Sequence, residues 1–185
     1  MRRIVAAINM TLDGFCDHTA VVPDEEVHQH YTDLINSGDV ILYGRVTYQL
    51  MEYWRPFIKT PSGNQSMDDF ARAIDRIEKV VFSHSLTDVD WSSARIAQGS
   101  IEDEIRSIRK QAGGDILVGS RSMIIALMKL NLIDEYQFCL HPVLAGNGLP
   151  LFEKLHERIA LKLVNTKTFG SGAVMLYYHP EANKE

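Results

Sequence analysis

A chain of 185 residues, 45% of them hydrophobic, is long enough to fill one core and too short for two, so a single domain over residues 1–185 is expected. Acidic residues outnumber basic ones by 24 to 19, for a formal net charge of −5, and no dense Lys/Arg run is present; this argues against nucleic acid or an anionic membrane as partner. Cys16 and Cys139 have neither zinc nor redox spacing, so a disulfide scaffold and a metal site are both unexpected and a reducing, cytoplasmic setting fits.

Arg2-Arg3 before Ile4–Ile8 has only the outline of a signal peptide, because the apolar run is short and Asn9 interrupts it. Ile4 to Ile8 reads as a buried strand, followed by a long loop from Asn9 to Pro23 that turns at Asp13-Gly14. Loops of that length at a strand end are commonly functional. Asp24, Glu25 and Glu26 open a helix where negative charge suits the macrodipole, Val27, Tyr31, Leu34 and Ile35 give it an inner face, and Ser37-Gly38 ends it. Val40 to Tyr43 is a second buried strand, and Gly44-Arg45-Val46-Thr47 leads from it into a helix.

Glu52 to Ser66 reads as irregular, with Trp54-Arg55-Pro56 and Pro61-Ser62-Gly63 inside it, before a short helix from Met67 to Arg76. Lys79 to Phe82 is a third strand, ending at Ser83-His84-Ser85; Trp91 to Gln98 is weakly strand-like, and Ile101 to Gln111 is an amphipathic helix. Ile116 to Val118 then forms a strand closed by Gly119. The helix after it is capped by Ser120 or Ser122, carries Met123, Ile124, Leu127, Met128 and Leu130 as its stripe, and stops at Asn131. Tyr136 to Val143, the Gly146-Asn147-Gly148 turn, and a hairpin of Ala160–Phe169 and Val174–His179 across Gly170-Ser171-Gly172 complete the chain. This order implies an α/β fold with a mainly parallel sheet and an antiparallel edge. Three strands end in small or polar residues, and backbone N–H groups free at a helix start suit an anion such as a pyrophosphate.

ILYGRVTYQLM at Ile41 to Met51 resembles the Gly-Arg-x-Thr segment of the dihydrofolate reductase fold. AAINMTLDGF resembles the first strand and Asp-Gly loop of the reductase domain of the bifunctional riboflavin-biosynthesis deaminase/reductase. VVFSHSL is similar to the strand that ends at the adenosine phosphate, and ILVGSRSM with LIDEYQFCLHPVLAGNGLPLF is similar to the C-terminal half of that second family. The likeness runs from Ile4 to Tyr178 with the motifs in family order, nearest to the riboflavin-type reductase domain of the dihydrofolate reductase-like superfamily.

The resemblance implies a three-layer sandwich that binds NADPH. Gly44 would admit the cofactor, with Arg45 and Thr47 on its phosphates, and Arg also offers the forked donor that phosphate favours. Ser83, His84 and Ser85 would hold the adenosine 2′-phosphate. His84 stands where such reductases commonly have Arg, which leaves NADPH against NADH open. Gly119 and Ser120 match a Gly-Gly turn with its second glycine replaced, Arg121 and Ser122 would join the pyrophosphate site, and Ala6 and Ala7 match small residues beside the nicotinamide.

The proton source is read as Asp13, which is equally an Asp-Gly turn residue, or Tyr31. Tyr31 and Glu26 lie on the helix that carries the catalytic carboxyl in dihydrofolate reductases, although Asp24 to Glu26 also suit a helix start. Asp24 to Asp39 contains no Lys or Arg and so offers no cationic clamp for a phosphosugar or folate tail. Arg55 beside Trp54 reads as an anion contact or a surface stacking pair, His28 and His30 as solvent histidines on different faces, and His141-Pro142 as a strand end.

The function expected is an NADPH-dependent reductase of a small heterocyclic or carbonyl substrate, either 5-amino-6-(5-phosphoribosylamino)uracil reductase-like or dihydrofolate reductase-like. The alternative is a non-catalytic nucleotide-binding sensor or structural paralogue. A homodimer is expected through Tyr136, Phe138, Leu140 and the hairpin.

Overall fold

Apolar runs in several strands must be covered on both faces, and that requirement sets the layers of the computed structural model, which describes residues 1–153 and 158–181. The strands are β1 (Ile4–Thr11), β2 (Gly38–Gly44), β3 (Glu78–Phe82), β4 (Ala94–Ile96), β5 (Asp115–Val118), β6 (Glu135–His141), β7 (Leu161–Thr168) and β8 (Val174–Pro180). They form one sheet in the order β4-β3-β2-β5-β1-β6-β8-β7. The first six run parallel, and β8 and β7 close the edge antiparallel, as the sequence pattern implies.

The helices are α1 (Glu25–Ser37), α2 (Arg45–Met51), α3 (Pro56–Lys59), α4 (Gln65–Arg76), α5 (Ile101–Arg109) and α6 (Arg121–Lys129). Alternate residues of each strand divide between two cores. Ile4, Ala6, Ile8, Leu42 and Val118 pack with Ile105, Ile108, Ile124 and Leu127 of α5 and α6. Val5, Ile41, Tyr43, Val81 and Leu117 pack with Ile35, Tyr48 and Ile74 of α1, α2 and α4. The result is a three-layer α/β sandwich, with helices on both faces of one sheet. Because the central strands are parallel, the turns after β2, β3 and β5 emerge at one edge of the sheet. None of the described helices is long and apolar enough to cross a membrane.

Several boundaries move from the sequence reading for identifiable reasons. β1 continues through Asn9, Met10 and Thr11, which pair with Cys139, Leu140 and His141. The polar Asn9 does not end the strand because its side-chain oxygen accepts a hydrogen bond from His141 Nε2 at 2.9 Å. The irregular segment contains a short 3-10 turn at Glu52–Trp54 and α3, while α4 starts two residues early because Asn64 caps it at Met67 N. Tyr136 and Phe138, expected at a dimer surface, are instead buried against this chain's own core.

One buried cation anchors the far edge of the sheet. Lys79, with no exposed surface, donates from Nζ to the Ile77 carbonyl (2.8 Å), the Asp75 carbonyl (3.3 Å) and Ser93 Oγ (2.7 Å). The ammonium lies 4.2 Å from the centroid of the Trp91 ring. Lys79→Ala should therefore lower the free energy of unfolding by about 2–4 kcal/mol in urea titration, from the lost stem and the orphaned acceptors. Burial also pushes the Lys79 pKa down to about 8 from 10.5. The folded state then binds fewer protons than the unfolded chain between those values, so this group lowers stability as pH falls from about 10.5 to 8 and adds no slope below. Measured against Lys79→Met, which keeps the stem, the wild type should gain relative stability as pH rises across that window.

Candidate active site

The turns after β2 and β5 meet. A Cβ on Gly44 would crowd the Ser122 hydroxyl and lie 3.3 Å from Ser120 Oγ, so glycine here lets both serine hydroxyls keep their positions between the starts of α2 and α6. Ser120 occupies the N-cap position of α6 at φ −104°, with no need for the left-handed conformation that a glycine would permit. Its hydroxyl does not cap its own helix; it accepts from Gly44 N and from Thr47 Oγ1, each at 3.1 Å. Neither α2 nor α6 has a side-chain cap. Two helix starts thus present first-turn N–H groups side by side, an arrangement that accepts an anion.

Beside this pair lies a cavity of about 630 Å³, floored by Ala7 and Gly119 and bounded by α1, α2 and the Cys16–Pro23 loop. Among its lining residues are Thr47, Arg121 and Ser122 from the helix starts and Tyr31 from α1. A Cβ at Gly119 would meet nothing nearer than the Ala7 carbonyl at 3.8 Å, so the floor is open. The donor set therefore fits the group that the sequence implies: paired amides for a diphosphate, with unhindered space beside Ala7 for a flat ring.

The other proposed positions separate from this group. Ala6 points to the opposite face and is core packing. Arg45 is exposed, with Gln49 Oε1 its one side-chain partner at 3.2 Å, and so is available to a phosphate. Ser83 Oγ accepts from Ser85 N and Leu86 N at 3.1 and 2.9 Å, forming a turn, and His84 and Ser85 are exposed after β3. Arg121 corrects the sequence reading: its guanidinium is committed to the Pro150 carbonyl at 2.9 Å and to Glu153, which leaves it poorly placed to neutralise a pyrophosphate.

Asp13 is likewise a correction, because it lies outside the cavity lining and works as a clasp. Its carboxylate accepts from Thr11 Oγ1 (2.5 Å), Gly146 N (2.7 Å) and Ala145 N (3.1 Å), joining the loop after β1 to the turn after β6. These bonds, the Thr11 hydroxyl foremost, hold its pKa at about 2, so it has no proton to give at neutral pH. The Tyr31 hydroxyl is buried without a partner among the described residues, and burial, with Cys139 and Tyr177 nearby, raises its pKa well above 10. Asp24 and Glu26 hold the hairpin turn through Ser171 N and Gly170 N at 3.2 and 2.7 Å, leaving no carboxylate from α1 in the cavity.

Three cavity residues were misread or passed over in sequence. His28 lines the cavity rather than facing solvent, with its ring centroid 5.9 Å from that of Trp54 and 5.7 Å from that of Phe70. Trp54 and Phe70 are themselves 4.7 Å apart, and Arg55 turns away to Trp91 and Asp90. His28, Tyr31 and Ile35 follow one face of α1 at i, i+3 and i+7, which was the available signal for His28. Trp54 and Phe70 come from different elements and offered no such period.

The RibD C-terminal domain family matches residues 2–175. The uncharacterized protein YyaP of Bacillus subtilis (strain 168) is 35% identical over 96% of this chain and 95% of its own length. In structure, RibD from Acinetobacter baumannii is similar with a TM-score of 0.74 at 11% identity, over 98% of this chain and 59% of that one. A dihydrofolate reductase from Enterococcus faecalis, complexed with NADP(H) and RAB-propyl, is similar with a TM-score of 0.64 at 13% identity, over 97% of both chains. These structural likenesses establish the fold.

Ser120→Ala should cost about 1–3 kcal/mol of stability, because the Gly44 amide would be left buried without its acceptor. Urea titration gives the cost, and faster exchange of the Gly44 amide hydrogen would place it at this contact.

Proposed function

The chain belongs to the RibD C-terminal domain family, and on that footing we propose that it is an NADPH-dependent reductase of a small heterocyclic or carbonyl substrate, working in the cytoplasm. The observation that carries this reading is the pair of side-chain-uncapped helix starts, joined through Gly44 and Ser120, at the mouth of a largely apolar cavity. When bound, the cofactor would supply a hydride at its nicotinamide. The first-turn amides of α2 and α6, that of Thr47 among them, with the Ser122 hydroxyl, would hold its diphosphate, and Arg45 would pair with phosphate oxygen from the rim; the Thr47 hydroxyl is given to Ser120.

Ala7 and Gly119 leave room for the nicotinamide to lie against the sheet edge, while Tyr31, Trp54 and Phe70 keep water from the opposite wall. Each hydride accepted calls for one proton. Asp13 is ionised and outside the cavity, and Tyr31 retains its proton strongly. Of the two lining histidines, His18 and His28, the second packs on Trp54 and Phe70 and is the one we assign to exchange a proton with an acceptor.

A homodimer is part of the same proposal, with the free edge of β7 as its surface. Leu163 and Val164 stand half exposed there. Sedimentation velocity at low concentration should show a dimer that dissociates when Val164→Lys charges that edge.

Calorimetric titration should show saturable binding of NADPH and NADP⁺; absence of binding at millimolar cofactor would reject the reductase reading. Arg45→Ala should weaken binding by about 1.5–3 kcal/mol, the range for a charged hydrogen bond. Binding without NADPH consumption across pterins, aminopyrimidines and quinones would favour the non-catalytic nucleotide-binding alternative.

A further inference from the structure

The walls facing Ala7 and Gly119 are aromatic. Trp54 and Phe70 meet at 4.7 Å with their planes tilted by 58°, and the His28 ring packs on both. Such walls contribute contact area and stacking to a flat ligand.

Charge is scarce in this cavity and already used. Apart from histidines, Asp17 and Arg121 are the charged groups among the described lining residues. Asp17 Oδ2 accepts from Leu149 N at 2.6 Å, and the Arg121 guanidinium is divided between the Pro150 carbonyl and Glu153. The nearby Arg55 is paired with Asp90 and Glu52 at 2.7 and 3.5 Å, and α1 carries no Lys or Arg. Burial depresses the pKa of His28, against the opposing field of Asp24, so near neutral pH its ring serves as a neutral donor or acceptor. A phosphate or carboxylate tail against the Trp54 and Phe70 wall would lose its hydration and meet no free Lys or Arg among the described lining residues, because the exposed Arg45 stands with the helix starts proposed to hold the cofactor's diphosphate.

From this geometry we propose that the cavity takes a flat, uncharged ring system as its acceptor, stacked against Trp54 and Phe70 with His28 toward a ring heteroatom, and that it disfavours acceptors bearing a phosphate or carboxylate. The word acceptor rests on the reductase reading above; the ligand class rests on the cavity walls alone.

The test is calorimetry on the full chain, with and without saturating NADP⁺, using ring systems paired with charged counterparts: naphthoquinone with its sulfonate, and riboflavin with riboflavin phosphate. The uncharged member of each pair should bind at least about tenfold more tightly. Trp54→Ala should weaken that binding by about tenfold and Trp54→Phe should restore most of it, with NADP⁺ affinity unchanged in both and folding checked by circular dichroism. Equal or tighter binding of the charged members, or no binding of either uncharged ring, would overturn the proposal. Failure of NADP⁺ to bind while the uncharged rings still bind would remove the reductase reading and leave the ligand class standing.

Discussion

The contact between Gly44 and Ser120 is the constraint on which the site depends. A parallel sheet delivers β2 and β5 to the same edge, and here two helix starts come together where one lacks a side chain and the other gives up its own cap. Gly44 meets the first condition, since a Cβ there would displace the Ser122 hydroxyl. Ser120 meets the second by turning its hydroxyl to Gly44 N and Thr47. A hydrogen bond that would ordinarily stabilise one helix is used between two, and the amides it leaves free are the anion site we propose.

Charged groups around the cavity mostly do mechanical work. Asp13 and Asp17 bind the loop after β1 to the turn after β6, Arg121 fastens the segment at Pro150 and Glu153, and Asp24 and Glu26 hold the hairpin turn. Each of these bonds uses a carboxylate or guanidinium that could otherwise have met a substrate. The walls are well braced and the interior has little charge to offer. The same economy explains why a long loop after β1, which the sequence marks as functional, contributes more through its anchorage than through a catalytic side chain.

The strands were legible because burial on both faces leaves continuous apolar runs, and the hairpin because its glycines separate two alternating segments. The turns that end β2 and β5 at Gly44 and Gly119 were legible, because small residues follow an apolar run there. Their relation was not, since residues 44 and 120 are joined across the sheet and no local pattern records that meeting. Asp13 was misjudged for a similar reason: an Asp-Gly pair looks alike whether its carboxylate is free or held by a turn more than a hundred residues away.

By itself, the sequence determined the α/β class, the order of the elements, the likeness to riboflavin-type and dihydrofolate reductases, and the small-residue turns, because these follow from period, propensity and local motif. Tertiary structure alone decided that Ser120 bridges two helices, that Arg121 and Asp13 are already engaged, and that His28, Trp54 and Phe70 share one cavity. Those outcomes depend on distances between residues remote in the chain, where hydrogen-bonding capacity and space are allotted only once the layers have packed.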